Sequence, residues 1–260
     1  MAEQPIHFDG TAYERLMSIW SQAVGTIFLD WLAPAPGQRW IDVGCGNGAF
    51  TEQIMQRCEP KQILGIDPSE GQLAYARARQ GAKGAVFEQG DATALAYEND
   101  CFDVAVMALV IAFVPDPTKG VAQMARVVRP AGLVAAYMWD QTSGGSPLSP
   151  IHEEAAALGV TPTRPPSGWA SAKDALHDLW VKAGFERIEA KTIYVQRDFS
   201  GFDEFWTVNT ATGPVRATLD RMEENKIAEL RQRVQTRLSP SGSAFTMQAW
   251  ANAIKGFVAG

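Results

Sequence analysis

Cysteine is scarce in this sequence, and its spacing argues against two roles that cysteine often has. Only three occur, Cys45, Cys58 and Cys101, and no two of them form a Cys-x-x-Cys pair. An odd number of scattered cysteines is typical of reduced thiols in a cytoplasmic protein and provides no zinc site. We therefore expect a cytoplasmic location and no bound metal.

Long apolar runs and a surplus of basic residues are also missing. The longest apolar run, residues 104–114, is shorter than the roughly 20 residues of a membrane span and indicates a buried strand. The N-terminal residues contain no apolar stretch of a secretory signal. The net charge of −6 disfavours a nucleic-acid partner, because phosphate binding requires a basic surface. We expect a soluble protein without a membrane span.

The composition that is present is that of a globular protein with a sizeable core. Of 260 residues, 46% are hydrophobic and 20% are charged, and no internal repeat divides the chain. Predicted strands alternate with helical segments, which is typical of a mostly parallel sheet with helices on both faces. These features predict one α/β domain over residues 1–260. The predicted strands are 39–43, 62–66, 85–88, 102–107, 133–139, 185–195 and 244–254.

Three segments lie outside this alternation. Residues 140–171 are rich in proline and glycine and predict a long loop insertion, of the kind that often covers an active site. Residues 197–242 return to helical spacing and predict a helical cap inserted before the last strand. Residues 1–33 predict an N-terminal helical lid, with an apolar face of Leu16, Ile19, Trp20, Ala23, Val24 and Ile27.

The strongest functional signal is WIDVGCGNGAF, residues 40–50, at a predicted strand-to-helix turn. Its glycines allow the backbone to approach a ligand, and the helix start offers free N–H groups to an anion. The same glycines also satisfy the pattern of dinucleotide-binding folds. Asp42 favours a different ligand, because its carboxylate repels a pyrophosphate and attracts an ammonium or sulfonium group. The charge pattern therefore favours S-adenosylmethionine (SAM) over NAD.

Two further aspartates follow the next predicted strands. Asp67 lies 19 residues after Gly48, where a carboxylate can accept hydrogen bonds from both ribose hydroxyls. Asp91, within Gly90-Asp91-Ala92, can accept from an adenine amino group while a neighbouring N–H donates to the ring. A single aspartate at a strand end is more often a helix cap or turn former. Three at consecutive strand ends favour a nucleoside site at the carboxyl edge of the sheet.

Together these motifs resemble the class I SAM-dependent methyltransferases, specifically the type 11 group that is similar to quinone-biosynthesis C-methyltransferases. WIDVGCGNG looks like the glycine-rich SAM motif, and GIDPSEGQLAYARAR looks like the ribose motif. GDATALAYENDCFDVAVMALVIAFVPDP resembles the adenine-binding region, and VVRPAG resembles the turn before the fifth strand. The resemblance is clear over residues 8–132 and weaker towards the C-terminus.

The resemblance implies a Rossmann-like sheet of seven strands, mostly parallel, with the last strand antiparallel. It implies SAM as the cofactor and S-adenosylhomocysteine (SAH) as its product. Trp20, on the N-terminal helix, is expected to fold over the SAM site. The motif positions carried over are Asp42, Gly44, Gly46, Asn47 and Gly48 at the methionine end, Asp67, Pro68 and Ser69 at the ribose, Asp91 and Ala92 at the adenine, and Ala108 and Leu109 closing over the methionine group.

The acceptor side departs from the resemblance. Many family members carry a histidine after the fourth strand, where this chain has Ala112-Phe113, which makes the pocket more apolar. Three histidines are candidate bases, His152 ahead of His7 and His177, but a structural role is the more common one for each. No catalytic residue is therefore assigned. The candidate substrate-binding residues are Tyr13, Phe113, Trp139, His152 and Trp206, together with Trp20.

The predicted function is methyl transfer from SAM to a small molecule by in-line displacement. A non-catalytic SAM-binding regulatory protein and an NAD-dependent oxidoreductase are the alternatives. Methylation of nucleic acid is disfavoured by the acidic charge, and the chain has no NPPY-like element to place a flipped base or an amide nitrogen. The acceptor, the atom methylated and the choice between monomer and homodimer are left open.

Overall fold

The computed structural model describes residues 10–211, 213–239 and 243–260, with side chains described from residue 19 onward. Within these residues the chain forms seven strands: β1 Arg39–Val43, β2 Gln62–Asp67, β3 Val86–Gln89, β4 Phe102–Ala108, β5 Val128–Trp139, β6 Glu186–Phe199 and β7 Phe245–Phe257. The helices are α1 Gly10–Leu32, α2 Ala49–Cys58, α3 Glu70–Ala78, α4 Pro117–Val127, α5 Ser149–Ala157, α6 Lys173–Lys182, α7 Phe202–Thr210, α8 Gly213–Leu219 and α9 Glu224–Leu238.

The strands form one sheet in the order β3-β2-β1-β4-β5-β7-β6. The first five pair in parallel, and β7 runs antiparallel to both of its neighbours. The predicted seven-stranded, mostly parallel sheet with an antiparallel last strand is confirmed. β7 lies inside the sheet, between β5 and β6. The order reverses at β1, which pairs with β2 on one side and β4 on the other, and such a reversal opens a crevice at the carboxyl ends of the strands.

Helices cover both faces of the sheet, as predicted. On one face α1 and α2 bury Val24, Phe28 and Ile54 against Val104 and Tyr137. On the other face α4 and α6 bury Met124, Leu176 and Trp180 against the opposite side chains of the same strands. Because both faces are covered, the central strands are mostly apolar rather than alternating, with charged residues near their ends.

The predicted apolar face of α1 is wrong at two positions. Ile19 is 50% exposed and Ile27 is 37% exposed, whereas Trp20, Val24 and Phe28 are buried. The buried residues recur every four positions, and a neighbouring residue lies about 100° further round the helix. The apolar stripe in the sequence is therefore wider than the face that packs.

The predicted loop insertion at 140–171 contains a helix, α5. Pro150 lies in its first turn, where the missing N–H of proline is tolerated. Ile151 and Ala155, four residues apart, bury one face of this helix. The prolines and glycines around this short helix made the whole segment look like a loop in the sequence.

Two strands extend well beyond the carboxyl edge of the sheet. Trp139 ends β5 and pairs with Ala251 of β7, which in turn pairs with Ile193 of β6. The two strands stay paired for six more residues, up to Phe199 and Phe245, a reach of roughly 20 Å. Helices α7–α9, which we call the cap, are inserted at the tip of this ribbon. The cap is helical as predicted, although its predicted first residues, 197–199, belong to β6.

In the part of the chain that the structure describes, no helix has both the length and the apolar character that crossing a membrane requires.

Candidate active site

The glycine-rich loop lies at the carboxyl end of β1, where the strand order reverses. Gly44 has φ +79°, and a Cβ built on it would lie 2.5 Å from Cγ1 of Val110. Gly46 also has a positive φ, but no atom of the described residues lies within 4 Å of where its Cβ would be. Gly44 is therefore needed for packing, and Gly46 exposes bare backbone to open space that a ligand can approach.

Asp67, at the end of β2, holds this loop in place. Its Oδ2 accepts a hydrogen bond from Gly46 N at 2.9 Å, and its Oδ1 accepts from Ser69 N at 2.9 Å. Each carboxylate oxygen can accept a second bond, so the group can still bind two hydroxyls. Burial raises the pKa of Asp67, partly offset by these two N–H donors.

Asp42 lies beneath the loop rather than on its surface. It is fully buried, and its Oδ2 accepts a hydrogen bond from the Thr51 hydroxyl at 2.7 Å. Its Oδ1 is buried and has no hydrogen-bond partner among the described residues. Burial raises the pKa of Asp42 to about 7, Thr51 opposes the shift, and the charge of Asp67 adds to it. Within the described structure, one oxygen of the carboxylate is thus left without a partner below the loop, and a role of Asp42 in ligand binding stays a prediction.

The other predicted cofactor positions take part in turns around the loop. Asn47 is buried and its Oδ1 accepts from Ala49 N, while Ser69 is exposed and caps α3. Gly48 has φ +78° and precedes α2. The carbonyl oxygen of Pro68 accepts from the Gln89 side chain. These contacts show how the turns are built and leave the ligand roles of these residues as predictions.

Asp91 is exposed, and its Oδ1 accepts from both the backbone N and the hydroxyl of Thr93, at 2.7 and 2.9 Å. This is a local turn, the simpler of the two roles that the sequence allowed. Ala92 is half-buried and packs on the α4 side of the core. A contact of either residue with adenine stays a prediction.

The turn after β4 is pressed against the glycine loop. Leu109 has φ +61°, an uncommon conformation for a leucine, and its N–H donates to Tyr137 O at 2.8 Å. The next residue, Val110, contacts Gly44. The turn that carries Ala108 and Leu109 therefore lies beside the loop, and residues held in strained conformations often lie at functional sites. A contact of either residue with the methionine group stays a prediction.

Two of the predicted pocket residues, both tryptophans, meet above the end of β5. Trp20 of α1 is 1% exposed and Trp139 is 3% exposed, and their rings pack edge to face with centroids 6.5 Å apart. Trp206 is half-buried in the cap and contacts Phe202. Phe113 is 38% exposed, so it lies at the surface rather than enclosed. The side chain of Tyr13 lies outside the described residues, as does His7.

His152 of α5 is 5% exposed, whereas His177 is exposed on α6. The Nε2 of His152 has no hydrogen-bond partner in the described structure. Burial, and then the nearby charge of Arg164, lower the pKa of His152 to about 4, so its imidazole is neutral at ordinary pH. Sequence reasoning missed Asn209, a buried cap residue whose Oδ1 also lacks a partner. Its signal was a polar residue at helical spacing from Phe202 and Phe205, on the face of α7 that packs.

A cavity of about 340 Å³ lies elsewhere, between the start of α6 and the β6–β7 pair. Part of its lining is already hydrogen-bonded within the protein: Asp140 accepts from Thr142 and Ser143, and the Asn252 amide donates to Asp140 at 3.0 Å. It includes no residue of the glycine loop. Among the described residues, no group of three or more His, Cys, Asp or Glu side chains is placed to hold a metal ion.

Comparisons with known proteins agree with this geometry. A family model described as a methyltransferase domain matches residues 41–136. The chain is 30% identical over 168 residues to the chloroplastic 2-methyl-6-phytyl-1,4-hydroquinone methyltransferase 2 of Oryza sativa subsp. japonica, covering 60% of this chain and 41% of that protein. It is 32% identical over 163 residues to trans-aconitate 2-methyltransferase of Methylobacterium nodulans, covering 57% of this chain and 60% of that protein. The matched regions thus span about half the length of these relatives.

Among solved structures, phosphoethanolamine N-methyltransferase 2 of Haemonchus contortus, in complex with SAM, has a TM-score of 0.62 at 19% identity. The match covers 96% of this chain and 57% of that one, and it supports the fold. Fold, motifs and family model agree: residues 41–136 match a methyltransferase domain, and the chain is similar to the class I methyltransferases that use S-adenosylmethionine.

Proposed function

We propose that the protein transfers the methyl group of SAM to a small molecule enclosed by α1, α5 and the cap. The observation that carries this proposal is the hydrogen bond from Gly46 N of the glycine loop to Asp67 Oδ2, at 2.9 Å. It lies in the crevice where the strand order reverses. Ligands of open α/β sheets bind in this crevice.

The residues present fit SAM. Open space lies over Gly46, Asp67 has two oxygens that can each accept a ribose hydroxyl, and Asp42 keeps one unpartnered oxygen below the loop. In this role the charge of Asp42 would attract the ammonium and sulfonium groups. Asp91 and Ala92 would hold the adenine, and Ala108 and Leu109 would lie against the methionine part.

When bound, SAM supplies a methyl group on a positively charged sulfur. Transfer of that methyl group to the acceptor atom would return the carbon–sulfur bonding pair to sulfur, with SAH as the product. The protein's own contribution is to hold the two reactants in line and to keep water away. Trp20 and Trp139 are suited to the second task because both are buried at the carboxyl edge. The relatives named above act on a hydroquinone and on trans-aconitate. Similarity to them therefore does not indicate whether the acceptor of this protein is charged.

Calorimetry with SAM, SAH and NADH tests the cofactor assignment. We expect SAM and SAH to bind and NADH not to bind. Asp67→Asn should weaken SAM binding at least tenfold, because the amide nitrogen cannot accept the hydrogen bond that the carboxylate oxygen accepts. Asp178→Asn, at an exposed position on α6, is the matched control and should bind like the wild type.

NADH binding more tightly than SAM would contradict the proposal and favour an oxidoreductase. Release of SAH is then measured with phenols, hydroquinones, carboxylates and amines as acceptors. SAM binding without transfer to any of them would favour the regulatory alternative.

A further inference from the structure

Arg79, the residue that follows α3, joins that helix to the glycine loop and to α2. Its Nε donates a hydrogen bond to the carbonyl oxygen of Asn47 at 3.0 Å, and its Nη1 pairs with Oε2 of Glu52 at 2.7 Å. The Arg79 and Glu52 side chains are only 15% and 22% exposed. Salt screens a partly buried pair less than an exposed one, so the guanidinium group is held in place.

The carbonyl group that Arg79 binds lies where the loop turns into α2. The next carbonyl along the chain, that of Gly48, accepts from Glu52 N at 2.9 Å and begins the hydrogen bonding of the helix. Among the described residues, no backbone N–H donates to the Asn47 carbonyl, and the side chain of Arg79 takes that place. Arg79 thus fixes the direction of the peptide group between Asn47 and Gly48.

Arg79 and Asp67 hold neighbouring residues of the loop from the two ends of one segment. Asp67 ends β2 and accepts from Gly46 N, whereas Arg79 follows α3 and donates to Asn47 O. One anchor therefore holds an N–H group of the loop and the other holds a C=O group. Together they prevent these two residues from rotating as a unit, which a single anchor would allow.

Close packing around Arg79 leaves little room for another arrangement. A Cβ built on Gly81 would overlap Oε1 of Glu52, and a Cβ built on Gly48 would lie 3.0 Å from the Cβ of Ala76 on α3. The Glu52 side chain therefore packs directly on the backbone that follows α3, and the glycine loop packs on α3 itself.

These contacts also determine how Arg79 can influence a ligand. Its positive charge is balanced by the carboxylate of Glu52 at 2.7 Å, so the pair adds little net charge to the site. Its guanidinium group is bonded to the loop from the side of α3. Arg79 therefore acts through the conformation of the loop, and a loop that is already in its bound conformation loses less entropy when a ligand binds.

We infer that Arg79 is a positioning residue for cofactor binding: by holding the Asn47 carbonyl, it keeps the glycine loop in the conformation that receives the methionine part of SAM. This inference rests on the proposed function and on the expectation that residues 44–48 lie at the methionine end of the cofactor. Loss of the contact should therefore weaken the binding of ligands that carry the amino-acid group, and it should spare ligands that consist of the nucleoside alone.

Calorimetry of Arg79→Lys with SAH and with methylthioadenosine provides the test. Methylthioadenosine has the same nucleoside and sulfur as SAH but lacks the amino-acid group. Lysine keeps a positive charge opposite Glu52 and lacks the second N–H that reaches Asn47. We expect SAH binding to weaken about tenfold, the size of one lost hydrogen bond from a charged group, and methylthioadenosine binding to change by less than about twofold.

Two further variants separate the contact with Asn47 from the ion pair. Glu52→Gln removes the charge of the pair but keeps an oxygen acceptor, and it should weaken SAH binding less than Arg79→Lys does. Arg57→Lys, at the other end of α2, alters a surface pair with Asp30 and is the matched control, which should bind both ligands like the wild type. Amide hydrogen exchange without ligand should be faster at residues 46–49 in Arg79→Lys and unchanged in β4.

Unchanged SAH affinity in Arg79→Lys would overturn the inference. So would equal losses of affinity for the two ligands, or a loss without faster exchange in the loop, because Arg79 would then support the whole fold rather than this conformation. Each of these results, with SAH bound by the wild type, leaves the proposed function standing. Failure of the wild type to bind SAH would instead remove the proposed function and the inference with it.

Discussion

The two sides of the carboxyl edge are built by different means. The cofactor side is made of backbone: a loop at residues 44–48 that Asp67 holds at 2.9 Å and Val110 packs against. The neighbouring side, where we propose that the acceptor binds, is made of buried side chains from distant parts of the sequence, Trp20, Trp139, His152 and Asn209. A short motif of consecutive residues is enough to build the first side. The second side depends on how elements that are far apart in sequence pack together.

The two sides also differ in how firmly they are held. The cofactor loop is continuous with the buried core of the sheet, and Gly44 N and Cys45 N both donate to Ile66 O. The cap is held to α5 partly by surface ion pairs, Arg233–Glu154 at 2.9 Å and Arg237–Glu153 at 2.6 Å. Exposed pairs of this kind contribute about 0.2–1 kcal/mol each. We expect the cap to open more readily than the loop, as elements that admit ligands generally do.

The largest effect is expected at Gly44. Gly44→Ala would place a Cβ 2.5 Å from Val110 in a backbone conformation with φ +79°, so the loop must move. We expect SAM binding to fall at least 100-fold, or the protein to be destabilised by about 3 kcal/mol or more. Calorimetry and urea denaturation measure the two effects.

Gly37→Ala is the matched control for this substitution. Gly37 has φ +74°, but no atom of the described residues lies within 4 Å of the added Cβ. It should therefore show only the backbone cost of about 1–2 kcal/mol and normal SAM binding. Equal losses of SAM affinity in the two variants would mean that packing against Val110 does not shape the loop.

A smaller effect, and one that depends on pH, is expected at Asp42. Its pKa is raised from 3.8 to about 7 in the folded protein, chiefly by burial, so the folded state retains a proton that the unfolded state has lost between these values. The contribution of Asp42 to stability is therefore fully present below about pH 4 and is lost as pH rises through 7. Relative to Asp42→Asn, the free energy of unfolding of the wild type should fall by up to about 4 kcal/mol between pH 4 and pH 7.

Denaturant unfolding of the cofactor-free wild type and Asp42→Asn at pH 4 to 8 measures this difference. His152 acts in the opposite direction, because burial lowers its pKa, and it contributes equally to both proteins. Taking the difference between the two proteins removes it. A difference that does not vary with pH would show that Asp42 is ionised throughout.

The smallest effect is expected at the ion pairs between α9 and α5. Arg237→Ala should destabilise the whole protein by less than about 1 kcal/mol, yet it should speed amide hydrogen exchange in α9. High salt should reproduce this in the wild type by screening the pairs. Arg216→Ala, which breaks the pair between α8 and Asp220 in the turn that follows it, is the control and should leave exchange in α9 unchanged. Faster amide exchange in the glycine loop than in α9 would contradict the expectation that the cap opens more readily than the loop.

Local sequence rules predicted the elements that depend on neighbours along the chain. All seven strands are where alternation and turn residues placed them, to within a few residues at most ends. Ser69 caps α3 through Gln72 N, and Asp116 caps α4 through Lys119 N, and both contacts join residues three apart in sequence. The glycine motif was recognisable because its geometry is encoded in consecutive residues.

Features that depend on tertiary packing were not predictable in the same way. His152 and Asn209 are buried and Ile19 is exposed because of which face of each helix packs against another element. Gly44 and Val110 are far apart in sequence, and no pattern in either segment predicts that they are in contact. The ligand roles of Asp42, Asp67 and Asp91 remain predictions that the experiments above decide.

The ribbon of β6 and β7 has a consequence for how this protein can change over evolutionary time. Phe199 and Phe245 are directly paired and their rings stack at 5.4 Å, so the inserted segment 200–244 leaves and rejoins the chain at one point. An insertion whose ends are already adjacent can be lengthened, shortened or exchanged at little entropic cost and without altering strand order. A lineage can thus replace the cap while it inherits the glycine loop unchanged, and on the proposed function such an exchange would alter the acceptor.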